Sequence, residues 1–422
     1  MLPMQRRLSN FFYAVISLPA TAMGTALCIQ ISALSWLLST KYHLDIHEIG
    51  VVWAAGPAAG ILGQMIIGLI SDGTWFWGGR RRPFILIGGA LAALSLFLLP
   101  RIDLVASMLG VSNLLVVAVM VALTLDISIN ISFNPTRSLI ADLTPEGIAR
   151  TRGYTWMQTI SGFWGVMAYL VGAFIDNYAL ISMGVVLVLA FSVLPMFLVE
   201  EPRELGPAET QAATKTEWSQ LRRIFLAHGF TWLGVQSMFV YIISFIQQHI
   251  VAAGSADAAG QSGQVIAISF AVMNVVGFIL PAAVLAPLVA RCGRVRVHVA
   301  CVATMAAAYL AIALAARSAA MLYVLMAVVG IGWAAVVSLP FAVMSEKVDK
   351  SRMGFFMGLF NLSVVLPQLL STQVGFALKD AADKSLLFYI CAACMAISAL
   401  LWCLVSDSKN VAAPAAQPVS AH

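Results

Sequence analysis

Charge is what this chain has least of. Of its 422 residues only 10% are Asp, Glu, Lys or Arg, while 61% are hydrophobic. A soluble globular domain carries about 25% charged residues, so the deficit excludes a water-soluble protein and points to an all-α integral membrane protein. Cysteine is sparse too, with six (Cys28, Cys292, Cys301, Cys391, Cys394, Cys403) placed mostly inside apolar runs. Cys391 and Cys394 have the spacing of a redox or metal pair, but no second ligand pair accompanies them, so they read as small packing residues of the last helix. His43, His47, His228, His249, His298 and His422 form no metal-ligand spacing, and no nucleophile motif or phosphate loop occurs. Neither enzymatic activity nor a cofactor is therefore expected.

What the chain has in abundance is apolar runs long enough to cross a ~30 Å hydrocarbon core. About twelve are expected, near 10–38, 47–71, 83–100, 112–143, 152–176, 179–199, 221–250, 263–290, 295–316, 318–344, 353–378 and 384–405. Arg6–Arg7 ahead of the first run resembles a signal peptide. The run continues past any h-region to Leu38, which makes it an uncleaved first helix. The net charge of +5 is distributed as membrane topology rather than as a nucleic-acid patch. With Arg137 set aside, eighteen Lys and Arg fall on the termini and even-numbered loops, against five (Lys41, Arg101, Arg317, Lys379, Lys384) on the other side. Both termini are then cytoplasmic, in a plasma membrane of the bacterial inner-membrane kind.

The long hydrophilic stretch from Glu200 to Gln220 carries Pro, Gly and mixed charge and divides the spans six and six. The expected organisation is a six-helix half over 1–199, a cytoplasmic linker over 200–220, a second half over 221–405 and a disordered tail over 406–422. Two internal echoes agree with it. Gly79-Arg80-Arg81-Arg82 after the second span answers Gly293-Arg294-Val-Arg296 after the eighth, and Arg150-Thr-Arg152-Gly153 answers Lys350-Ser-Arg352-Met-Gly354. Parallel six-span halves describe one large transporter architecture.

Amides are unevenly shared. Gln30, Gln64, Asn130, Asn134, Gln158, Gln236, Gln247, Gln248, Asn274, Asn361, Gln368 and Gln373 lie in spans one, two, four, five, seven, eight and eleven. Buried amides need partners, so these helices should enclose a polar path. Spans three, six, nine and twelve should then face lipid.

Asp126 is the one acid of nineteen set deep within a long apolar segment. An ionised carboxylate there costs about 2.5–3.5 kcal/mol, and such a residue marks a substrate path or a proton site. Burial favours its neutral form, so it is the expected proton-coupling residue. At about 100° per residue, Asn130 lies ~40°, Asn134 ~80° and Arg137 ~20° from it, forming one polar stripe; Asp142, near ~160°, faces elsewhere. A straight helix holds Asp126 and Arg137 roughly 16 Å apart, too far for a direct pair. Arg137 is expected to bond substrate hydroxyls or form an inner gate. Sodium coupling is the less favoured option, because a hard cation wants several oxygen ligands and only one mid-span carboxylate is present.

Several strings resemble the glycoside–pentoside–hexuronide branch of the major facilitator superfamily, and within it the proton-coupled sucrose transporters. They are Leu125-Asp126-Ile127, Asn134-Pro135-Thr136-Arg137-Ser138-Leu139-Ile140-Ala141-Asp142-Leu143, Ser71-Asp72 with Gly79-Arg80-Arg81-Arg82-Pro83-Phe84-Ile85, and Gly358-Leu-Phe-Asn361 with Pro367-Gln368. The resemblance implies uptake of a disaccharide or glycoside with protons, with Asp126 as coupling site and Arg137 required for transport. The chain departs from that pattern after Thr231-Trp232, where the family's acidic motif is missing.

Sugar sites combine amides for hydroxyls with an aromatic face. Gln30, Asn130, Asn134, Gln158, Gln236, Asn361 and Gln368 are the candidate amides, with Trp156 and Trp232 as stacking partners. Asp72, Arg81, Arg82, Asp142 and Arg152 are expected to form a cytoplasmic latch against the start of the eleventh helix near Arg352–Gly354. The expected partners are a sugar, protons and the lipid bilayer, with no nucleic acid, and the expected state is a monomer. Two other readings stay open: a proton antiporter exporting a drug or metabolite, and a non-transporting assembly or sensor protein. The last would be expected to carry a large extra domain or extended loop, and these residues encode none.

Overall fold

The computed structural model of the protein describes residue 5 and residues 7–145, 148–203, 216–252, 255–349 and 353–406. Twelve helices follow one another through them. The first six are α1 (Asn10–Thr40), α2 (Ile46–Gly73), α3 (Arg82–Leu109), α4 (Leu114–Leu143), α5 (Ile148–Phe174) and α6 (Asn177–Leu198). The second six are α7 (Trp218–His249), α8 (Ala258–Leu280, extended by Ala286–Cys292), α9 (Arg294–Ala315), α10 (Ala319–Ser345), α11 (Met353–Leu370 then Thr372–Asp380) and α12 (Leu386–Trp402). Among the described residues nine helices are long and apolar enough to cross a membrane, and Leu386–Trp402 is a shorter apolar one.

Side-chain caps set several helix starts where the apolar runs begin. Ser9 accepts the Phe12 N–H at 3.1 Å, Asp176 that of Ala179 at 2.6 Å, and Asp45 forms a reciprocal capping box with Glu48. Each satisfies N–H groups that a helix leaves open. The third helix runs nine residues beyond the expected limit at 100. Pro100 tightens the chain into a 3-10 turn over Leu99–Arg101, the helix then resumes at Ile102, and Gly110 ends it at φ +66°.

Within the first six helices α4 packs on α2 and α3, and α1 on α5 and α6. Within the second six α9 packs on α10 and α12, α7 on α12 and α11, and α8 on α10. Cys391 and Cys394 of α12 sit against Gly234 of α7, whose carbonyl accepts from the Cys391 thiol at 3.3 Å. Two seams join the sets, α5 with α8 and α2 with α11. In the first, a Cβ on Gly162 would lie 2.4 Å from the Phe278 ring, so glycine is what lets these helices approach. Large apolar side chains face outward on α3, α6, α9 and α12, as at Phe97, Phe197, Leu314 and Leu400. In a bilayer that face meets acyl chains rather than water.

One end of the bundle is tied shut across the two sets. Lys379 Nζ lies 2.9 Å from Asp45 Oδ2, and the His47 and Phe376 rings meet at a tilt of 33° with centroids 3.7 Å apart. The Trp36 indole donates to the Ala259 carbonyl at 2.6 Å, and Gln247 donates to Ser39 at 3.2 Å. At the opposite end the ion pairs among the described residues, Arg81 with Asp142, Arg294 with Glu346 and Lys347 with Glu217, do not bridge the two sets.

Candidate functional site

Asp126 stands near the middle of α4, 9% exposed, against α2 at a glycine. A Cβ on Gly56 would fall 2.7–2.9 Å from the carboxylate atoms, so the acid rests on bare helix backbone. Its side-chain hydrogen-bond partner among the described residues is Gln30 of α1, whose Nε2 donates to Oδ1 at 3.2 Å and Oδ2 at 3.1 Å. Gln30 is itself 2% exposed and opens a π-helical turn, Gln30–Leu34, in α1. Turns of that kind recur at functional sites. No ion pair involving Asp126 is found among the described residues. The carboxylate is held by a neutral donor.

The rest of the expected stripe divides. Asn130 is buried, but its Nδ2 turns back to the Asp126 carbonyl at 2.8 Å. Asn134 is half-buried. Arg137 is exposed, with its guanidinium 4.1 Å from the Phe133 ring centroid, while Tyr154 of α5 bonds its carbonyl at 3.2 Å. Pro135 leaves α4 a single helix to Leu143, so the acid and the arginine share a face without meeting.

A second cluster lies on α7 and α11. Gln368 donates to Gln236 at 3.2 Å, and Gln236 is 4% exposed. The Trp232 indole donates to His228 Nε2 at 2.9 Å and meets Trp333 of α10 edge to face, centroids 6.2 Å apart. Trp333 also packs on Phe239. Asn361 is half-buried. A Cβ on Gly60 of α2 would lie 3.8 Å from Asn130 and 3.9 Å from Val365 of α11, so the acid's helix and the amide-bearing α11 flank one stretch of α2. Gln158 is exposed on α5, and Trp156 packs against the cluster of Tyr13, Ile140 and Met157. Among the described residues neither is hydrogen-bonded to Asp126, Gln30, Gln236 or Gln368. Sequence reasoning overlooked Trp333 because its helix carries no amides or charges; the His228–Trp232 spacing of four was the available signal.

Arg81, 5% exposed, donates from Nε to Asp142 Oδ2 at 2.9 Å and from NH1 to Ser71 Oγ at 2.7 Å. These bonds tie it to α2 and α4 of its own set. Asp142 at the end of α4 offers a half-buried carboxylate beside the start of α3, where a guanidinium pairs strongly. Glu201, read from the sequence as linker, accepts the N–H groups of Arg80, Arg81 and Arg82 at 2.8, 2.8 and 2.7 Å. A carboxylate there meets the open N–H groups and positive end of α3, and it fixes Arg82 through its backbone. The side chains of Gln64, Asp72 and Arg152, and residues 350–352, lie outside the described residues.

A twelve-helix bundle whose central buried acid is held, among the described residues, by a neutral amide has the build of a secondary carrier. The chain belongs to the Major Facilitator Superfamily, whose sequence profile matches residues 16–372 and 255–420. It is therefore a membrane transporter and not an enzyme. A general alpha-glucoside permease of Schizosaccharomyces pombe is 32% identical over 155 residues, 35% of this chain and 27% of that protein. A sucrose transport protein of Arabidopsis thaliana is 29% identical over 166 residues, 36% of this chain and 32% of that protein. The chain thus spans about a third of the length of these curated relatives. The crystal structure of a D-xylose-proton symporter superposes with a TM-score of 0.71 at 15% identity, covering 95% of this chain and 99% of that one, a likeness of fold.

Proposed function

We propose that the protein is a proton-coupled importer of a disaccharide or glycoside, sucrose- or maltose-like, working by alternating access. The observation that carries the reading is Asp126, a buried carboxylate whose side chain is held by a neutral amide. A single titratable group of that kind suffices to couple a proton to a conformational cycle. The glucoside and sucrose permeases among its relatives support a sugar as substrate. The amides of α7 and α11 beside Trp232 and Trp333 supply the polar and aromatic surfaces that a sugar ring requires.

In this reading residues 1–199 and 221–405 rock against each other, with 200–220 as a cytoplasmic linker. The charge asymmetry of the loops sets both termini on the cytoplasmic side of a plasma membrane. The end closed by Asp45 and Lys379 then faces outward, and Arg137 lies toward the cytoplasm. Uptake of labelled disaccharides into proteoliposomes, with and without an inward proton gradient, tests the proposal. Accumulation that requires the gradient is expected. Accumulation driven by sodium alone, or proton-driven export of a drug in place of sugar uptake, would overturn it.

A further inference from the structure

Asp126 is bonded through one amide, and that amide can serve either charge state of the acid. As an anion the carboxylate accepts only, and Gln30 Nε2 supplies both of its oxygens at 3.1 and 3.2 Å. Once protonated, the acid carries an O–H that needs an acceptor, and Gln30 holds one, Oε1, on the same group. A half turn about the last side-chain torsion exchanges the two, and that torsion is broad and roughly two-fold. Among the described residues, Gly56 presents backbone alone to the acid, and the Asn130 Nδ2 donates to the Asp126 carbonyl rather than to the carboxylate. Gln30 also sits on a hinge-like position. It opens the π turn of α1, and six and nine residues further on Trp36 and Ser39 make the cross-set bonds to Ala259 and Gln247.

We propose that Gln30 is a positioning residue that reads the charge on Asp126 by turning its amide, and that α1 carries the change to the closed outer end. This rests on the reading of Asp126 as the proton-coupling group. The sequence offers Gln30 as a substrate contact, and in the structure its donor faces the acid.

Among the described residues no other ionisable side chain bonds the Asp126 carboxylate. The elements packed on α4 are α1, α2, α3 and α5. Their ionisable residues are Tyr13 and Cys28 on α1; His47, Glu48 and Asp72 on α2; Arg82, Arg101 and Asp103 on α3; Arg150, Arg152, Tyr154 and Tyr169 on α5. On α4 itself there are Arg137 and Asp142. Among the described residues none of these is hydrogen-bonded to the Asp126 carboxylate.

The test is the pH profile of concentrative uptake by the full chain in proteoliposomes, alongside substrate counterflow, which needs no net proton movement. Gln30→Leu withdraws both the donor that serves the anion and the acceptor that serves the protonated acid. The half-maximal point should move by about one pH unit, a tenfold change in proton affinity. Gln30→Asn keeps the chemistry on a stem one methylene shorter and should move it less. In an Asp126→Asn background Gln30→Leu should add nothing to the profile. An unmoved midpoint in both single variants, or a substrate KM raised with the midpoint fixed, overturns the role of Gln30 and leaves the coupling reading standing. Normal concentrative uptake by Asp126→Asn overturns the coupling reading itself. If Gln30→Leu yields no folded protein, the Gln30→Asn midpoint decides.

Discussion

Lys379, near the end of α11, holds Asp45, the N-cap of α2, with Nζ 2.9 Å from Oδ2, while Oδ1 of the same carboxylate accepts the Glu48 N–H at 2.8 Å. One side chain thus starts a helix with one oxygen and bridges the two six-helix sets with the other. The two jobs are separable by mutation. Asp45→Asn keeps a good cap and loses the bridge, whereas Asp45→Ala loses both, so Ala should be the less stable by about 1 kcal/mol. Thermal unfolding in detergent measures the difference. Lys379→Gln and Asp45→Asn should both make cysteines placed inside the outer closure more reactive to external thiol reagents, to a similar degree.

The pH behaviour of this bridge has a definite sign. Burial pushes the Asp45 carboxyl up, but the Lys379 ammonium and the N–H groups of Glu48 and His47 outweigh it and hold it below the ordinary carboxylate range. A depressed group contributes fully above its unfolded value, ~3.9 for Asp, and loses the contribution as pH falls through the lower folded one. Between pH 5 and 7.5 the bridge should therefore stay intact. Lys379→Gln is expected to change the amplitude of uptake across that window without shifting its midpoint. A shifted midpoint would implicate the outer bridge in the proton cycle.

Arg81 and Asp142 form a pair with side chains 6% and 13% exposed. Removing one partner of a buried pair leaves the other charge stranded, at a cost of about 3–5 kcal/mol. Arg81→Ala should lower the unfolding temperature markedly, and Arg81→Ala/Asp142→Ala should recover part of the loss. If the double variant is simply the sum of the singles, the pair carries no coupling.

Arg137 offers a planar cation in the open, above Phe133. Lysine replaces the charge but neither the fork nor the stacking. Arg137→Lys should depress sugar uptake several-fold at unchanged protein level. Wild-type rates would reduce the residue to a surface anchor.

Much of the fold was legible because membrane helices announce themselves by length and hydropathy. The seventh expected run, 221–250, and the observed Trp218–His249 differ by only a few residues. What the sequence concealed were interactions between residues far apart in the chain. Nothing in a run of mixed charge marks Glu201 as the cap of a helix that begins 119 residues earlier at Arg82. Nor does helical periodicity tell which way an amide turns. Gln30 and Asn130 looked alike as hydroxyl binders, yet one faces the acid and the other its own helix. Trp333 was hidden because an aromatic in an apolar helix reads as packing until Trp232 is found across from it.

Asp126→Asn tests the central claim most directly, by uptake of labelled sugar into proteoliposomes under a proton gradient, with counterflow measured on the same vesicles. The account predicts counterflow without accumulation, because the amide keeps the shape of the site and cannot exchange a proton. Sugar concentrated by the variant to the wild-type level would contradict it.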